Sequence, residues 1–215
     1  MARSEYAIPY PMAKRVLDKG IAGLLLLILV PLFLLAVAAV ALDALVSRRD
    51  RGTVFYREPR ISRGRTFALI KFRTLRRDVL VEMQRAGGHA RLYEADAANV
   101  TWSARRLLKP WYLDELPQLV NVLRGDISLV GPRPWPPELV ERQVADGLDY
   151  RNRIVAGLTG PAQVTKGVSD VRYADLDSAY VERCCTLGGL ALVRYDLGIL
   201  KETIRTLARG EGLSY

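Results

Sequence analysis

The stretch Ile21–Leu42, IAGLLLLILVPLFLLAVAAVAL, decides the class of this protein because its 22 residues carry no charge. A straight helix of that length is roughly 33 Å long, about the thickness of the hydrocarbon core of a bilayer. Basic residues stand on both sides of the run: Lys14, Arg15 and Lys19 before it, and Arg48, Arg49 and Arg51 after it. We therefore expect a membrane-bound protein.

Three topologies compete for this run. Ala36-Val37-Ala38 resembles a signal-peptide cleavage site, but the segment before the apolar run is long and an arginine block follows at once. A simple spanning helix would carry one of the two basic flanks across the membrane, which charge bias disfavours. Pro31, in mid-run, removes a helical hydrogen bond and bends the helix. A helix broken there can return to the same face, so the sequence tilts towards a re-entrant segment.

The positive charge of the chain is confined to one segment. The 215 residues carry a net charge of +9, and half of them are hydrophobic, which excludes intrinsic disorder. Residues 47–77 account for the whole excess, with Asp50 and Glu58 against eleven basic residues: Arg48, Arg49, Arg51, Arg57, Arg60, Arg63, Arg65, Lys71, Arg73, Arg76 and Arg77. Such a block also suits a non-catalytic, membrane-anchored module that binds anionic lipid or nucleic acid, although no nucleic-acid motif is present.

Cysteine and histidine usage excludes two kinds of site. Cys184 and Cys185 are adjacent, so a disulfide between them would be badly strained and we expect two reduced thiols. His89 is the only histidine of the chain. A zinc centre or a histidine-based catalytic triad is therefore not expected.

The remaining pattern predicts an α+β fold that is mostly helical. A short β-hairpin is predicted over residues 54–58 and 66–73, around a turn at Ser62-Arg63-Gly64. Helices are predicted at 78–85, 116–124, 137–144, 170–183 and 190–209, and residues 87–100 are predicted to form a surface loop. We expect two parts: residues 1–46 with the membrane segment, and a catalytic domain over residues 47–215.

The last predicted helix carries a continuous apolar stripe. Val193, Leu197, Leu200, Ile204 and Leu207 follow a spacing of four and three residues. A stripe of this kind is most often packed in a core. In a membrane-bound protein it also suits the bilayer interface or a dimer contact.

Two short segments carry groups suited to phosphate chemistry. Asp114-Glu115 precede the predicted helix at Leu116, where adjacent carboxylates attract a cation such as Mg²⁺ and the helix terminus favours anions. The same pair is also a common helix cap. Arg133 stands between Pro132 and Pro134, so little entropy is lost when its planar fork binds a phosphate.

These segments belong to a longer ordered pattern. Lys71-Phe72-Arg73-Thr74 is followed by DELPQL at 114–119, NVLRGD at 121–126, SLVGPRP at 128–134, GLTG at 157–160 and LD at 176–177. In this pattern the chain resembles the monotopic phosphoglycosyl transferases, the bacterial sugar transferase family, over nearly its whole length from about residue 12.

The resemblance implies a Mg²⁺-dependent enzyme that transfers a phospho-sugar from a UDP-sugar to polyprenyl phosphate, for example undecaprenyl phosphate, and releases UMP. The transfer proceeds through a covalent aspartyl-phosphosugar intermediate, as the first membrane step of glycoconjugate or exopolysaccharide synthesis. It also implies a re-entrant helix-break-helix with Pro31 at the break and amphipathic helices at the interface. The catalytic domain then faces the cytoplasm at the bacterial inner membrane, with membrane lipids as further partners and no nucleic acid. A homodimer with a second copy of the chain, through the apolar stripe of the last helix, is left open.

Site residues are carried over by position in the pattern. Asp114 is the nucleophile and Glu115 a ligand of Mg²⁺, with Asp114 beside it in the metal site. Arg133 binds phosphate, and the other residues assigned to substrate binding are Lys71, Arg73, Lys109, Gln118 and Asp177. Lys109 stands where the family usually has arginine, so the charge is kept but the fork is lost.

Overall fold

The computed structural model describes residues 7–86, 88–165 and 172–209. They form mainly helices, with two small sheets. The helices are α1 (Met12–Ile28), α2 (Val30–Val46), α3 (Arg77–Arg85), α4 (Ala90–Tyr93), α5 (Gln118–Arg124), α6 (Pro137–Ala145), α7 (Tyr150–Arg153), α8 (Pro161–Val164), α9 (Tyr173–Thr186) and α10 (Gly189–Ala208). The strands are β1 (Phe55–Ser62), β2 (Arg65–Phe72), β3 (Ser128–Val130) and β4 (Gly157–Thr159). The mostly helical α+β prediction is confirmed.

The chain divides into two compact units that alternate along the sequence. The first, which we call the terminal unit, takes the described residues of Met1–Leu24, Glu58–Leu69 and Leu119–Tyr215. The second, which we call the central unit, takes Leu25–Arg57 and Ile70–Gln118. The predicted division at residue 46 concerns membrane attachment and stays a prediction.

The central unit is built around the buried side of α2. Ala36 and Val40 pack with Phe72, Val79 and Met83 in one core cluster. The rings of Phe33 and Phe72 lie 5.1 Å apart, close enough for a tilted aromatic pair. A buried carboxylate fixes α2 in place, because Asp43 accepts hydrogen bonds from the backbone N–H and the hydroxyl of Ser103. The opposite side of α2 exposes large apolar side chains: Leu34, Leu35, Leu42, Leu45 and Val46.

The apolar run is broken near its middle. Helix α1 ends at Ile28, Leu29 forms the break, and Pro31 lies in the first turn of α2. Proline is tolerated in a first turn because the N–H groups there have no helical partner. Among the described residues, no single helix is long and apolar enough to cross a bilayer, whereas α1 and α2, bent by 64°, meet the length and composition requirements together. The predicted break at Pro31 is therefore confirmed.

The hairpin of β1 and β2 turns through two residues with positive φ. Arg63 has φ of 51° and Gly64 has φ of 68°, as a two-residue turn between right-twisted strands requires. Glycine supplies this conformation without steric cost, whereas Arg63 adopts it against its intrinsic preference. The backbone N–H of Arg63 donates to the carbonyl of Ile154 at 2.9 Å, which holds the turn against the terminal unit to which both residues belong.

The terminal unit contains a parallel strand pair that the sequence did not predict. Ser128 pairs with Gly157 and Val130 with Thr159. The backbones approach so closely that a Cβ on Gly157 would collide with the main chain of Gly131. Helices α8 and α10 pack together, and α10 also contacts both strands.

Helix α10 buries a different face from the predicted one. Its buried side consists of Leu192, Asp196, Ile199, Thr203 and Thr206. In the predicted stripe, Leu197 is 45% exposed and Ile204 69%. Core packing, one of the interpretations left open for this stripe, is therefore wrong, and its place at the bilayer interface or in a dimer contact stays a prediction. Two polar residues of this buried side bind distant partners: Asp196 accepts from Lys14 at 2.5 Å, and Thr203 shares a 2.9 Å hydrogen bond with Thr159.

Candidate active site

Asp114 and Glu115 lie in a separate 3-10 turn, Leu113–Glu115, of the central unit. Helix α5 begins only at Gln118, so the prediction that this pair sits at the mouth of a helix starting at Leu116 is wrong by two residues. Tyr112, just before the turn, adopts the left-handed conformation with φ of 54°. Non-glycine residues rarely adopt this conformation, and such strain is concentrated at functional sites.

The segment that leads into the turn is also unusual. Residues Ala104–Leu108 form a π-helix, and the backbone N–H of Lys109 donates to the carbonyl of Ala104 at 2.9 Å. Short π-helical turns occur frequently at functional sites. Leu108 and Leu113 are buried in the core of the central unit, which anchors the backbone on both sides of Lys109. The position of Lys109 is therefore fixed by a well-anchored backbone segment.

Three charged side chains surround the turn. Lys71, near the end of β2, lies 3.6 Å from Glu115 in an ion pair. Lys109 and Glu94 form a closer pair at 2.5 Å, and the hydroxyl of Thr74 donates to the other oxygen of Glu94 at 2.5 Å. All of these residues belong to the central unit. The structure therefore brings together Lys71, Lys109, Asp114 and Glu115, whose roles in the site stay predictions.

The environment of Asp114 opposes its ionisation. The pKa of Asp114 is raised to about 6, mainly by burial and also by the negative charge of Glu115, while Lys71 acts in the opposite direction. The expectation that the adjacent carboxylates hinder each other's ionisation is confirmed in direction, although burial is the larger cause. A carboxylate with a pKa near 6 is mostly ionised at neutral pH but binds a proton more readily than an ordinary aspartate, and such shifted groups are concentrated at functional sites.

Glu94 is a site residue that sequence reasoning missed. It belongs to the segment 87–100 that was predicted as a surface loop, but its side chain is only 17% exposed. Burial favours the neutral form, yet Lys109, with help from Thr74 and Lys71, keeps the pKa of Glu94 below its ordinary value. No spacing in the sequence points to Glu94, because its partners lie 15 and 20 residues away on other elements.

Two predicted substrate-binding residues of the central unit are buried. Arg73 is 1% exposed and donates to the backbone carbonyls of Thr53 at 2.8 Å and Leu75 at 3.0 Å. These bonds give Arg73 a structural role, since they tie the loop before β1 to the end of β2. Gln118 is 2% exposed at the start of α5. We therefore leave Arg73 and Gln118 out of the substrate-binding residues proposed below.

The other two predicted site residues belong to the terminal unit. Arg133 is half-buried in the loop after β3. Asp177, on α9, is fully buried and accepts hydrogen bonds from Arg151 at 2.8 Å and from the Tyr150 hydroxyl at 2.9 Å. Burial raises the pKa of Asp177, whereas Arg151 acts to lower it. The Asp177 carboxylate therefore binds side chains of the protein, Arg151 and Tyr150.

Comparison with known proteins identifies the family of this chain. The sequence profile of the family described as "Bacterial sugar transferase" matches residues 9–210. The chain is 37% identical over 203 residues to the exopolysaccharide production protein ExoY of Rhizobium meliloti, covering 85% of this chain and 82% of that protein. It is also 37% identical over 177 residues to the undecaprenyl-phosphate galactose phosphotransferase of Salmonella typhimurium, covering 76% of this chain and 35% of that protein.

A third relative has a similar relationship. The UDP-glucose:undecaprenyl-phosphate glucose-1-phosphate transferase of Caulobacter vibrioides is 38% identical over 158 residues, which cover 71% of this chain and 54% of that protein. This chain thus spans most of the ExoY protein but about half or less of the other two relatives. The profile match extends over both compact units and includes the Asp114-Glu115 turn. This chain belongs to the bacterial sugar transferase family.

Proposed function

We propose that this protein transfers a phospho-sugar from a UDP-sugar to undecaprenyl phosphate and releases UMP. The observation that carries the proposal is the Asp114-Glu115 turn, a half-buried carboxylate pair flanked by Lys71 and Lys109. The names of the relatives support the same reaction class, because those proteins are described as undecaprenyl-phosphate sugar phosphotransferases.

Asp114 acts as the nucleophile of a two-step transfer. In the first step a carboxylate oxygen of Asp114 forms a bond to the sugar-bearing phosphorus, and the bond from that phosphorus to the UMP oxygen breaks. In the second step a phosphate oxygen of the lipid attacks the same phosphorus and releases the Asp114 carboxylate. Two such steps replace one transfer between two bulky substrates that reside in different phases. Lys71 and Lys109 offset negative charge on the transferred phosphoryl group.

The donor set suits Mg²⁺. Asp114 and Glu115 are adjacent carboxylates, and burial together with the negative charge of Glu115 raises the pKa of Asp114, so a bound cation would favour the ionised pair. Hard oxygen ligands from one or two carboxylates, completed by phosphate and water, are typical of Mg²⁺ sites. Among the described residues no group of three or more acidic, cysteine or histidine side chains could hold a metal ion. The ion would neutralise charge on the phosphates, and Asp114 and Glu115 would hold it.

Arg133 is proposed to bind a phosphate of the substrate. Its position between Pro132 and Pro134 restricts the backbone on both sides, so the guanidinium is aimed at little entropic cost. A planar fork binds two phosphate oxygens at once. This assignment rests on the family resemblance and on the loop that presents the side chain.

The membrane surface is proposed as the working location, with the catalytic part on the cytoplasmic side of the bacterial inner membrane. The exposed apolar side of α2 includes Leu45 at 77% and Val46 at 80%, which water would solvate poorly. Helix α10 exposes Leu190 and Ile204 on one face, and basic residues run along the edge of that face: Arg194, Lys201 and Arg205. An apolar face with a basic edge is typical of a helix that lies on an anionic bilayer.

The non-catalytic alternative is less well supported by the basic segment 47–77. Two of its basic side chains are largely buried within the protein and are not available to a ligand. Arg73 is 1% exposed, and Arg60 pairs with the buried Glu58 at 2.6 Å. An enzyme is therefore the better interpretation of the central unit.

UMP release tests the proposal. Detergent-solubilised protein with Mg²⁺ and undecaprenyl phosphate would be given UDP-glucose, UDP-galactose or UDP-N-acetylgalactosamine, the sugars named among the relatives. We expect lipid-dependent UMP release from at least one donor and none from Asp114→Asn. Equal UMP release by Asp114→Asn would contradict the assignment of the nucleophile. Lipid binding without turnover of any donor by folded protein would favour the binding module.

A further inference from the structure

We propose that Arg151 and Asp177 form a positioning pair that sets the direction of Arg133, rather than contacting substrate. The inference rests on the proposed function, in which Arg133 binds a substrate phosphate. It gives Asp177 a role other than the substrate contact that the family pattern implied. All of the residues involved belong to the terminal unit.

The loop that carries Arg133 is held by its carbonyl groups. Pro132, Pro134 and Pro136 have no backbone N–H, so the carbonyls are the main points at which other elements can bind this loop. The carbonyl of Pro132 accepts from the backbone N–H of Gly157 at 2.9 Å, and that of Trp135 accepts from Ile61 at 2.9 Å. Backbone pairing therefore fixes both ends of the loop.

The carbonyl of Arg133 itself is bound by a side chain. The guanidinium of Arg151 donates to it at 2.6 Å and, through its other terminal nitrogen, to Asp177 at 2.8 Å. The same guanidinium lies over the ring of Trp135, 4.0 Å from its centroid. Arg151 thus contacts the loop at both Arg133 and Trp135. A shift of the Arg151 guanidinium would therefore reorient the backbone that carries the Arg133 side chain.

The Arg151–Asp177 pair is part of a buried hydrogen-bond network. Arg151 is 4% exposed and Asp177 is fully buried. The Tyr150 hydroxyl donates to the same Asp177 oxygen at 2.9 Å, and the Gln143 side chain donates to that hydroxyl at 3.1 Å. Helices α6, α7 and α9 are therefore linked to one carbonyl of the phosphate-binding loop. The Asp177 and Tyr150 contacts hold the Arg151 guanidinium in one orientation toward the loop.

Only a planar fork can make all of these contacts together. In Arg151→Lys the ammonium can still pair with Asp177, but it cannot also bind the Arg133 carbonyl and stack on Trp135. We expect kcat/KM for the UDP-sugar to fall about 10–100-fold, because small misplacements of a positioned group have effects of that size. Arg142→Lys, at an exposed position on the neighbouring helix α6, is the matched control and should retain normal activity.

A double-mutant cycle separates positioning from a general structural effect. If Arg151 acts through Arg133, then Arg151→Lys should change kcat/KM by less than about twofold once Arg133→Ala is present. A further loss equal to that of the single variant would overturn the proposal. Tyr150→Phe removes one bond to Asp177 while keeping the ring, and its smaller loss should vanish in the same background. If Arg151→Lys does not fold, Tyr150→Phe tests whether the Arg151–Asp177 pair acts through Arg133.

A readout without substrate distinguishes failure of this proposal from failure of the proposed function. Amide hydrogen exchange of peptides covering residues 128–136 should be faster in Arg151→Lys than in the wild type, while peptides from α10 stay unchanged. Unchanged exchange in the loop would overturn the positioning role even if the enzyme is active. Faster exchange in a protein that releases no UMP would instead count against the proposed function alone.

Discussion

Both compact units of the chain contain buried charges, but their environments differ. In the terminal unit, Lys14, Asp18 and Asp196 are at most 4% exposed, and Lys14 binds Asp196 at 2.5 Å. In the central unit, the Glu115 side chain is 17% exposed, and its lysine partner lies at 3.6 Å. The first group is shielded from solvent and closely bonded, whereas the second is more exposed and its ion pair is longer. Deep burial with close pairing favours a structural role, whereas solvent access beside a carboxylate with a raised pKa favours chemistry.

The largest effect is expected from Asp114→Asn. Asparagine keeps the size of the side chain but cannot attack phosphorus as a carboxylate does, so UMP release should fall at least about a thousandfold. Asp146→Asn, an exposed aspartate at the end of α6, is the control. If Asp114→Asn retained a tenth of the activity, Asp114 would not be the nucleophile, and the charges of the central unit would no longer differ in role from the Lys14, Asp18 and Asp196 group.

The matching change in the terminal unit should affect stability instead. Lys14→Met leaves Asp196 and Asp18 without their cation, and breaking a buried pair of this kind costs about 3–5 kcal/mol. We expect a clear drop in the thermal unfolding temperature measured in detergent. Lys201→Met, at an exposed position on α10, is the control and should unfold like the wild type. Equal unfolding temperatures for the two variants would show that the Lys14 network is not structural.

Whereas Lys14→Met should lower stability, Asp114→Asn should raise the stability of the protein near neutral pH. Its pKa is raised from 3.8 to about 6, so the folded state retains the proton more tightly than the unfolded state. Stability is therefore lost as pH rises from about 4 to about 6, and Asp114→Asn should escape this loss. Without metal at pH 7, the variant should be more stable by at most about 3 kcal/mol. Urea titrations of both proteins with EDTA at pH 4 and pH 7 measure the difference, and an equal difference at both pH values would contradict the assignment.

The smallest effect is expected from Glu94→Gln. Glutamine keeps the shape of the side chain but removes the charge that holds Lys109 at 2.5 Å, so we expect about a tenfold loss of kcat/KM. Stability should change little, because the lysine remains partly solvated. Glu82→Gln, exposed on α3, provides the control. Full activity in Glu94→Gln would remove Glu94 from the site and leave Lys109 without an assigned positioning partner.

Features that depend on residues close together in the sequence were predicted correctly, and features that depend on distant residues were not. Local patterns predicted the hairpin turn at Arg63-Gly64, the break near Pro31 and most helix positions, because these depend on neighbouring residues. The pairing of β3 with β4 was not predicted, since each strand has only three residues. Short strands that pair across a long loop leave little periodicity to detect.

Two further misses share a physical cause. The buried face of α10 contains Asp196 and two threonines, so its hydrophobic pattern pointed to the wrong side. Burial there depends on Lys14, which is 182 residues away. Glu94 was missed for the same reason, because only tertiary contacts with Thr74 and Lys109 distinguish it from other charged residues of its segment. Polar burial is decided by long-range partners, which amino-acid spacing does not encode.

The most direct test of the account is to trap the covalent intermediate. Purified protein with Mg²⁺ and the UDP-sugar that supports UMP release would be incubated without lipid acceptor, quenched in acid and analysed by intact and peptide mass spectrometry. We predict the added mass of one phospho-sugar on the peptide that contains Asp114, its absence in Asp114→Asn, and its loss when undecaprenyl phosphate is added. Lipid-dependent UMP release by the wild type with no adduct, or with the adduct on another residue, would contradict the role of Asp114 as the nucleophile.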